Sequence, residues 1–331
     1  MLRAKSETNS IVLANQAVKG LNYMCPHCNR SVIFKNGGVK RAHFAHKNKS
    51  DYYCHKGETL EHYQLKYSLA QWFEYHAIDV ALEPYVPQSY QYPDLIINHT
   101  NVIEIQFSQI PIFQIQKRTK SLLALGYSVI WIIKNPNYNE ILQTLKLSNY
   151  ERTFINNDER RLFAWDEEAQ QLYQYSALQF LGGQLYFAKR NKVSIGALIH
   201  KPVGEDNSLL FKLKPRAVSR YIKQCRLKRT VLEPSLSVMY NLRITEKWVC
   251  NHLGLIFPEQ LYIKSHPIYW QLQLLFMLHN KDYKEQLFLG LMEFNPFYMD
   301  DIDKEKIVRK VVGQFQQLYV VSEVNSVQNL P

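Results

Sequence analysis

The sequence predicts an α/β protein, because its centre alternates helical and extended patterns in the order helix, strand, strand, strand, helix, strand. The first 56 residues are instead turn-rich and dense in cysteine and histidine, and residues 176–331 have mainly helical patterns. These changes divide the chain into three predicted domains, residues 1–56, 57–175 and 176–331. Proline, glycine and asparagine in residues 201–208 are typical of a linker between the last two.

Composition and charge narrow the class of protein. The chain has 331 residues, of which 46% are hydrophobic and 21% charged, which excludes a largely disordered chain. The 40 basic and 29 acidic residues give a net charge of +11, which favours a polyanionic partner, either nucleic acid or an anionic membrane surface. The sequence contains no signal-peptide pattern and no apolar run long enough for membrane insertion. Five cysteines, an odd number, fit a reducing compartment, so we expect a cytoplasmic protein.

The helices and strands of the central region are predicted from periodicity. Leu65, Leu69 and Phe73 form one face of the first helix. Residues 98–101 are a turn signal between two strands, and the last strand is a continuous apolar run, which indicates burial on both faces. The predicted elements are a helix from Thr59 to about His76, strands near Val80 to Glu83, Asp94 to Ile97 and Val102 to Phe107, a helix from about Ile112 to Leu125, and a strand from Ser128 to Ile133.

Four polar residues of this region are candidates for an active site. Glu61 lies four residues before Leu65 on the apolar face of the first helix, where a carboxylate needs an ion pair, a metal or a catalytic role. Glu104 and Gln106 share one face of a strand, and a hairpin through the predicted turn would bring them to Asp94. Carboxylates are the hard oxygen ligands that Mg²⁺ and Mn²⁺ prefer, and such ions support phosphodiester hydrolysis.

The N-terminal region contains a pattern of zinc ligands. Cys25 and Cys28 form a Cys-x-x-Cys knuckle, fourteen residues separate Cys28 from His43, and seven separate His46 from Cys54. This approximates a Cys₂His₂ site that binds structural Zn²⁺. Because two histidines three apart on one strand point to opposite faces, we expect only one of them to bind. The predicted ligands are Cys25, Cys28, Cys54 and one histidine, with His46 favoured and His43 as the alternative.

The ordered set of these residues resembles a known family. Pro93-Asp94, nine intervening residues and Glu104-Ile105-Gln106 are similar to the motif of the PD-(D/E)xK nuclease superfamily. More closely, residues 1 to about 200 resemble the competence protein CoiA family. The matching residues are Cys25-Pro26-His27-Cys28, His43-Phe44-Ala45-His46, Cys54, Glu61-His62 with Lys66, Pro93-Asp94-Leu95-Ile96-Ile97, Ile103-Glu104-Ile105-Gln106-Phe107-Ser108, Arg118 and Val129-Ile130-Trp131-Ile132.

The resemblance implies a restriction-endonuclease-like core with a catalytic site of Glu61, Asp94, Glu104 and Gln106, in which the three acids hold Mg²⁺ or Mn²⁺. It also implies a DNA nuclease or DNA-processing protein that acts on incoming single-stranded or branched DNA during natural transformation and recombination, with recombination proteins as possible partners. Two other interpretations stay open. One is a non-catalytic recombination mediator that keeps the nuclease fold for DNA binding, and the other is an enzyme directed to RNA.

Gln106 departs from the superfamily, which has lysine at this position. A neutral amide can orient water through hydrogen bonds but cannot neutralise a phosphate. Lys117 and Lys66 are the candidates for the missing cation. Since Lys66 follows Glu61 by five residues, about 140° around a helix, we expect Lys117 or neither to take this role.

A basic segment lies between Asn207 and Leu232, with eight lysines and arginines and no acidic residue. Its apolar residues have helical spacing, and Arg216, Arg220 and Lys223 lie on a neighbouring face. We expect an amphipathic helix whose basic face contacts DNA, together with Lys117 and Arg118 in the central region. An ordinary solvated face and an anionic membrane surface are the alternatives.

Overall fold

A computed structural model describes residues 3–26, 29–37, 42–47, 60–200, 211–230, 232–298 and 302–327. The chain forms two compact units: unit 1 comprises residues 1–108 and 125–130, and unit 2 comprises residues 109–124 and 131–331. The predicted domain boundary after residue 56 falls within unit 1 and outside the described residues. Nowhere in the described ranges is a helix both long enough and apolar enough to span a bilayer.

Unit 1 begins with a small antiparallel sheet in the order β2-β1-β3-β4-β5. Its buried core includes Tyr23, Cys25, Val32 and Phe44. The rings of Tyr23 and Phe44 lie 4.9 Å apart between centroids. Apolar packing in this sheet therefore rests on a few side chains. The strands are β1 (Arg3–Lys5), β2 (Ile11–Leu13), β3 (Tyr23–Met24), β4 (Ser31–Lys35) and β5 (His43–His46).

The rest of unit 1 is a helix packed on a second set of strands. Strands β6, β7 and β8 are antiparallel neighbours, and the order continues from β8 to the first residues of β9. Leu65, Leu69 and Phe73 of α1 are buried, as their spacing predicts. These elements are α1 (Leu60–Tyr75), β6 (Val80–Leu82), β7 (Leu95–Ile97), β8 (Asn101–Gln106) and β9 (Ser128–Lys134).

Unit 2 contains the end of β9 and a mixed sheet in the order β9-β12-β13-β14-β11-β10, in which β9 and β12 are parallel. The indole Nε1 of Trp131 donates a 3.1 Å hydrogen bond to Oγ1 of Thr119, which holds α2 against β9. The predicted domain boundary after residue 175 falls within β13. The elements are α2 (Ile112–Leu123), β10 (Asn137–Asn139), β11 (Thr144–Lys146), β12 (Leu162–Asp166), β13 (Gln171–Gly182) and β14 (Leu185–Lys192).

Helices dominate the remainder of unit 2, around a core that includes Trp270, Phe257, Phe288 and Phe315. Proline stands at the start of α3, α4 and α6, where its missing N–H costs no hydrogen bond. The elements are β15 (Phe211–Lys212), α3 (Pro215–Leu227), α4 (Pro234–Asn241), α5 (Glu246–His252), β16 (Leu255–Ile256), α6 (Pro267–His279), α7 (Glu285–Gly290) and α8 (Lys304–Val327). The predicted α/β class is therefore confirmed, with strands and helices in both units.

Candidate functional site

Three carboxylates lie in a row across the strand ends of unit 1. The pairing of β6 with β7 and of β7 with β8, extended by one residue, places Asp94 opposite both Glu83 and Glu104. The N–H of Glu83 donates to the carbonyl of Asp94 over 2.9 Å, which fixes one side of this row. The three residues are only 8%, 2% and 1% exposed in the order Glu83, Asp94, Glu104. We call them the acidic row.

Lys66 of α1 reaches into the acidic row. Its Nζ atom lies 2.6 Å from Oε1 of Glu83 and 3.1 Å from Oδ1 of Asp94. Lys66 is fully buried, and a buried ammonium is stable only where carboxylates compensate for its lost hydration. Lys117 or neither was expected to supply the missing cation, whereas the structure places the ammonium of Lys66 beside Asp94. The rotation was measured from Glu61, whereas the helix turns His62 and Lys66, four residues apart, towards Asp94.

The carboxylate of Asp94 is the centre of these contacts. Its Oδ2 atom accepts a hydrogen bond of 2.9 Å from the backbone N–H of Ile105 and lies 3.1 Å from Nε2 of His62. Its Oδ1 atom accepts from Lys66. These donors stabilise the ionised carboxylate. The ring of His62 also lies 6.0 Å from that of Phe107, so the imidazole is held between the strand and the carboxylate.

The other predicted site residues are less closely joined. Glu61 lies half-buried in the first turn of α1. Gln106 shares a strand face with Glu104, but its Nε2 donates to the carbonyl of Ser108 and lies 3.3 Å from the Ser108 hydroxyl. Across the described residues, no three side chains of histidine, cysteine, aspartate or glutamate form a group that could hold a metal ion.

Two residues of this site, Glu83 and His62, were not among the site residues predicted from the sequence. Glu83 directly follows the short strand β6 and has a φ of +46°. The guanidinium of Arg3 donates to the carbonyls of Leu82 and Glu83 over 2.7 and 2.5 Å. Nothing in the local pattern distinguishes this glutamate from a turn residue. His62 had a usable signal, since it precedes Lys66 by one helical turn on the buried face of α1.

The predicted DNA-contacting residues all belong to unit 2. On α2, Lys117 is exposed, and the guanidinium of Arg118 lies 5.8 Å from the ring centroid of Trp131. The amphipathic helix predicted in the basic segment is α3, with Val218, Ile222 and Cys225 buried. Its exposed residues Arg216, Arg220 and Lys223 form no ion pair with any acidic residue in the described ranges. We call these three residues the α3 basic face.

In the predicted zinc module, two backbone hydrogen bonds join the residues that follow β3 to those that precede β4. The N–H of Cys25 donates to the carbonyl of Arg30 over 2.7 Å, and the N–H of Asn29 donates back to the carbonyl of Cys25 over 2.9 Å. Asn29 has a φ of +53°, a conformation that asparagine tolerates better than most residues. Cys25 is fully buried, and Cys28 and Cys54 lie outside the described residues.

The two candidate histidines lie at opposite ends of β5. His46 pairs with Val32, two residues from Arg30, whereas His43 pairs with Lys35 at the far end of β4. The ring of His43 packs against that of Tyr63 at 6.0 Å. Burial, reinforced by the charge of Arg30, lowers the pKa of His46, which favours the neutral imidazole that binds metals. His46 also lies nearer to the Cys25 end of the sheet than His43 does.

Two families match consecutive parts of the chain. The family "Competence protein CoiA, nuclease-like domain" matches residues 58–203, and "Competence protein CoiA, N-terminal domain" matches residues 7–55. Competence protein CoiA of Bacillus subtilis (strain 168) is 32% identical over 150 residues. That match covers 43% of this chain and 39% of the relative, well under two thirds of the relative's length. No solved structure matches the chain.

Proposed function

The chain belongs to the competence protein CoiA family, and on that premise we propose that unit 1 carries the active site of a metal-dependent DNA nuclease with a PD-(D/E)xK core. Its substrate would be single-stranded or branched DNA taken up during natural transformation and processed for recombination. The single observation that carries this proposal is the ion-pair cluster of Lys66, Glu83 and Asp94 beside Glu104.

Burying these charged side chains costs free energy of desolvation, so the cluster calls for a functional explanation. Replacing a buried ion pair by apolar side chains is often neutral or stabilising, so packing alone gives no reason for an ammonium among carboxylates. Buried ionisable groups that lie within hydrogen-bonding distance of one another are common at functional sites. In a nuclease, Lys66 would supply the positive charge that Gln106 cannot, and it would neutralise the phosphate beside Asp94.

Carboxylates such as those of the acidic row are the oxygen ligands that divalent cations prefer. Lys66 contributes one positive charge against the carboxylates of Glu83, Asp94 and Glu104, and this excess of negative charge suits Mg²⁺ or Mn²⁺. We propose that Glu61, Asp94 and Glu104 would hold the ion. When bound, it would polarise the scissile phosphate and lower the pKa of a water molecule.

The chain's own residues would prepare this site. His62 and the N–H of Ile105 hold Oδ2 of Asp94 in place, and Lys66 shares Oδ1. Since Lys66 also binds Glu83, it can shift its hydrogen bonds towards Glu83 without leaving the site. Gln106 would orient water only after its amide leaves Ser108.

A non-catalytic recombination mediator is the second candidate. It is favoured by two observations, the engagement of the Gln106 amide by Ser108 and the lack of a ready three-ligand group within the described residues. In that case the same ion pairs would fix the fold, and DNA would bind through the α3 basic face and through Lys117 and Arg118.

We also propose that the N-terminal module holds a structural Zn²⁺ through Cys25, Cys28, His46 and Cys54. The support is the burial of Cys25, which is hydrogen-bonded to Arg30 of the chain before β4, and the register that pairs His46 with Val32, two residues from Arg30. A bound zinc ion would brace a sheet whose apolar core is small.

The test of the nuclease is cleavage of labelled single-stranded and branched DNA with and without Mn²⁺, with RNA as a competitor. Glu104→Gln keeps the shape of the side chain and removes its charge, so it should abolish metal-dependent cleavage. Glu74→Gln, on an exposed position of α1, is the matched control and should cut like the wild type. Full activity of the Glu104→Gln protein would refute the site, and DNA binding without cleavage under all metal conditions would support the mediator.

A further inference from the structure

The loop between β6 and β7, residues 84–93, connects two members of the acidic row, because Glu83 precedes it and Asp94 follows it. This β6–β7 loop contains three tyrosines, three prolines and no charged residue. Tyr85 is 47% exposed and Tyr90 is 83% exposed. A ligand that met this loop would encounter aromatic faces rather than charges, directly beside the candidate site.

The backbone of Tyr90 lies in a turn that is held by several backbone hydrogen bonds. Val86 and Gln91 form a bridge with N–H to carbonyl distances of 2.8 and 3.4 Å, and Val86 is 4% exposed. Between them, Pro87 starts a single helical turn, and the N–H of Tyr90 donates to its carbonyl over 3.2 Å. The backbone that carries Tyr90 is therefore fixed, so little backbone entropy would be lost when a ligand stacks on its ring.

Tyr90 also has an unusual backbone conformation. Its φ of +52° lies in the left-handed region, which aromatic residues rarely adopt. Such strain persists only where the surrounding structure imposes it, and it is concentrated at functional sites. Tyr85 is braced in a different way, since its ring lies 4.8 Å from that of Tyr92. Tyr85 is thus supported through its ring, and Tyr90 through its backbone.

We propose that the β6–β7 loop is a stacking platform, on which unpaired bases of a single nucleic-acid strand lie against Tyr85 and Tyr90. Every base has a π-face, and bases within a duplex already stack on one another, so this surface selects an unpaired strand. The inference rests on the proposed function, since the strand would pass from the loop to Asp94. The net charge of +11 favours a polyanion over a neutral peptide as the occupant.

The experiment measures binding of the full-length chain, without added divalent cation, by fluorescence anisotropy. The probes are a labelled oligothymidylate and an abasic oligonucleotide with the same number of phosphates. The double variant Tyr85→Leu with Tyr90→Leu should bind the oligothymidylate about tenfold more weakly. It should bind the abasic strand as the wild type does, because no phosphate contact changes.

Two controls separate stacking from other effects. The double variant Tyr85→Phe with Tyr90→Phe keeps both rings and should retain wild-type affinity. Tyr75→Leu changes a residue that is 87% exposed at the far end of α1, and it should have no effect. The stacking platform would be overturned if the double leucine variant bound the oligothymidylate as tightly as the wild type does. It would also be overturned if the wild-type protein bound both probes with the same affinity.

Failure of the stacking platform can be told apart from failure of the nuclease. If the leucine variant loses binding and no condition gives cleavage by the wild type, the platform stands without the nuclease. If the wild type cleaves single strands and the leucine variant binds and cleaves them equally well, the nuclease stands and the platform is refuted.

Discussion

The Nζ atom of Lys66 lies 3.1 Å from Oδ1 of Asp94, and neither side chain is more than 2% exposed. This ion pair joins α1 to the acidic row. In the proposed nuclease, Lys66 would supply the cation that the sequence motif lacks. An arginine is not an equivalent replacement for Lys66, because its guanidinium is larger and planar. The ammonium of lysine is a compact charge that can donate hydrogen bonds to two carboxylates at once.

Replacing Lys66 by methionine should destabilise the protein and abolish any cleavage. Methionine keeps an unbranched stem but leaves the buried carboxylates of Glu83 and Asp94 without their cation. Breaking a buried pair in this way costs about 3–5 kcal/mol of the free energy of unfolding. Chemical denaturation measures the loss, and cleavage is assayed at a temperature where the variant is folded.

The matched control is Lys117→Met on an exposed position of α2, which should change the unfolding free energy by less than about 0.5 kcal/mol. Adding Glu83→Gln to Lys66→Met should recover part of the loss, since one uncompensated charge is removed. Equal stability of Lys66→Met and the wild type would contradict the ion-pair geometry.

The histidine that binds zinc can be identified by metal analysis. Protein purified without chelators should contain close to one Zn²⁺ per chain, and His46→Ala should lose most of it. His43→Ala should keep its zinc, because His43 lies at the far end of β5 and packs on Tyr63. A zinc content near zero in the wild type would refute the zinc site. Loss of zinc in His43→Ala but not in His46→Ala would identify His43 as the ligand.

Periodicity predicted the central elements of unit 1, since α1, β6, β7 and β8 are found where the apolar spacing places them. It did not predict β1 to β5, which lie in the region that was expected to be turn-rich. It could not predict the partners of Lys66, because Glu83 lies 17 residues and Asp94 lies 28 residues further along the chain. Asp94 and Glu104 were expected together because a single turn joins their strands. Glu83 was missed because its role depends on the register of a strand only three residues long.

Unit 2 should lose stability in mild acid because of His266. Burial lowers the pKa of His266 to about 3 from an ordinary value of 6.5, and its ring is stacked on Tyr221 at 3.9 Å. The folded state therefore binds fewer protons than the unfolded state between these values. Above pH 6.5, His266 does not lower the free energy of unfolding. Below pH 6.5, the free energy of unfolding falls with decreasing pH by up to about 1.4 kcal/mol per pH unit.

His266→Asn removes the titration while keeping the helix cap, because Nδ1 of His266 accepts a 3.2 Å hydrogen bond from the N–H of Ile268 and an asparagine oxygen can do the same. The variant should be less stable than the wild type at pH 8, where the lost ring packing dominates. The gap should narrow as the pH falls from 6 to 4 in urea denaturation. A constant gap across this range would show that His266 does not titrate as the structure implies.

Electrostatic binding of DNA by the α3 basic face should appear in the salt dependence of affinity. Each phosphate contact contributes about 0.7 to the slope of log affinity against log salt for a single strand, so changing Arg216, Arg220 and Lys223 to glutamine should lower the slope by about 2. Arg226 and Lys228 are the matched controls, since Glu246 and Glu233 already pair with them. Their change to glutamine should lower the slope by less, because these cations displace fewer counterions when DNA binds. An unchanged slope in the triple variant would place the phosphate contacts elsewhere on the chain.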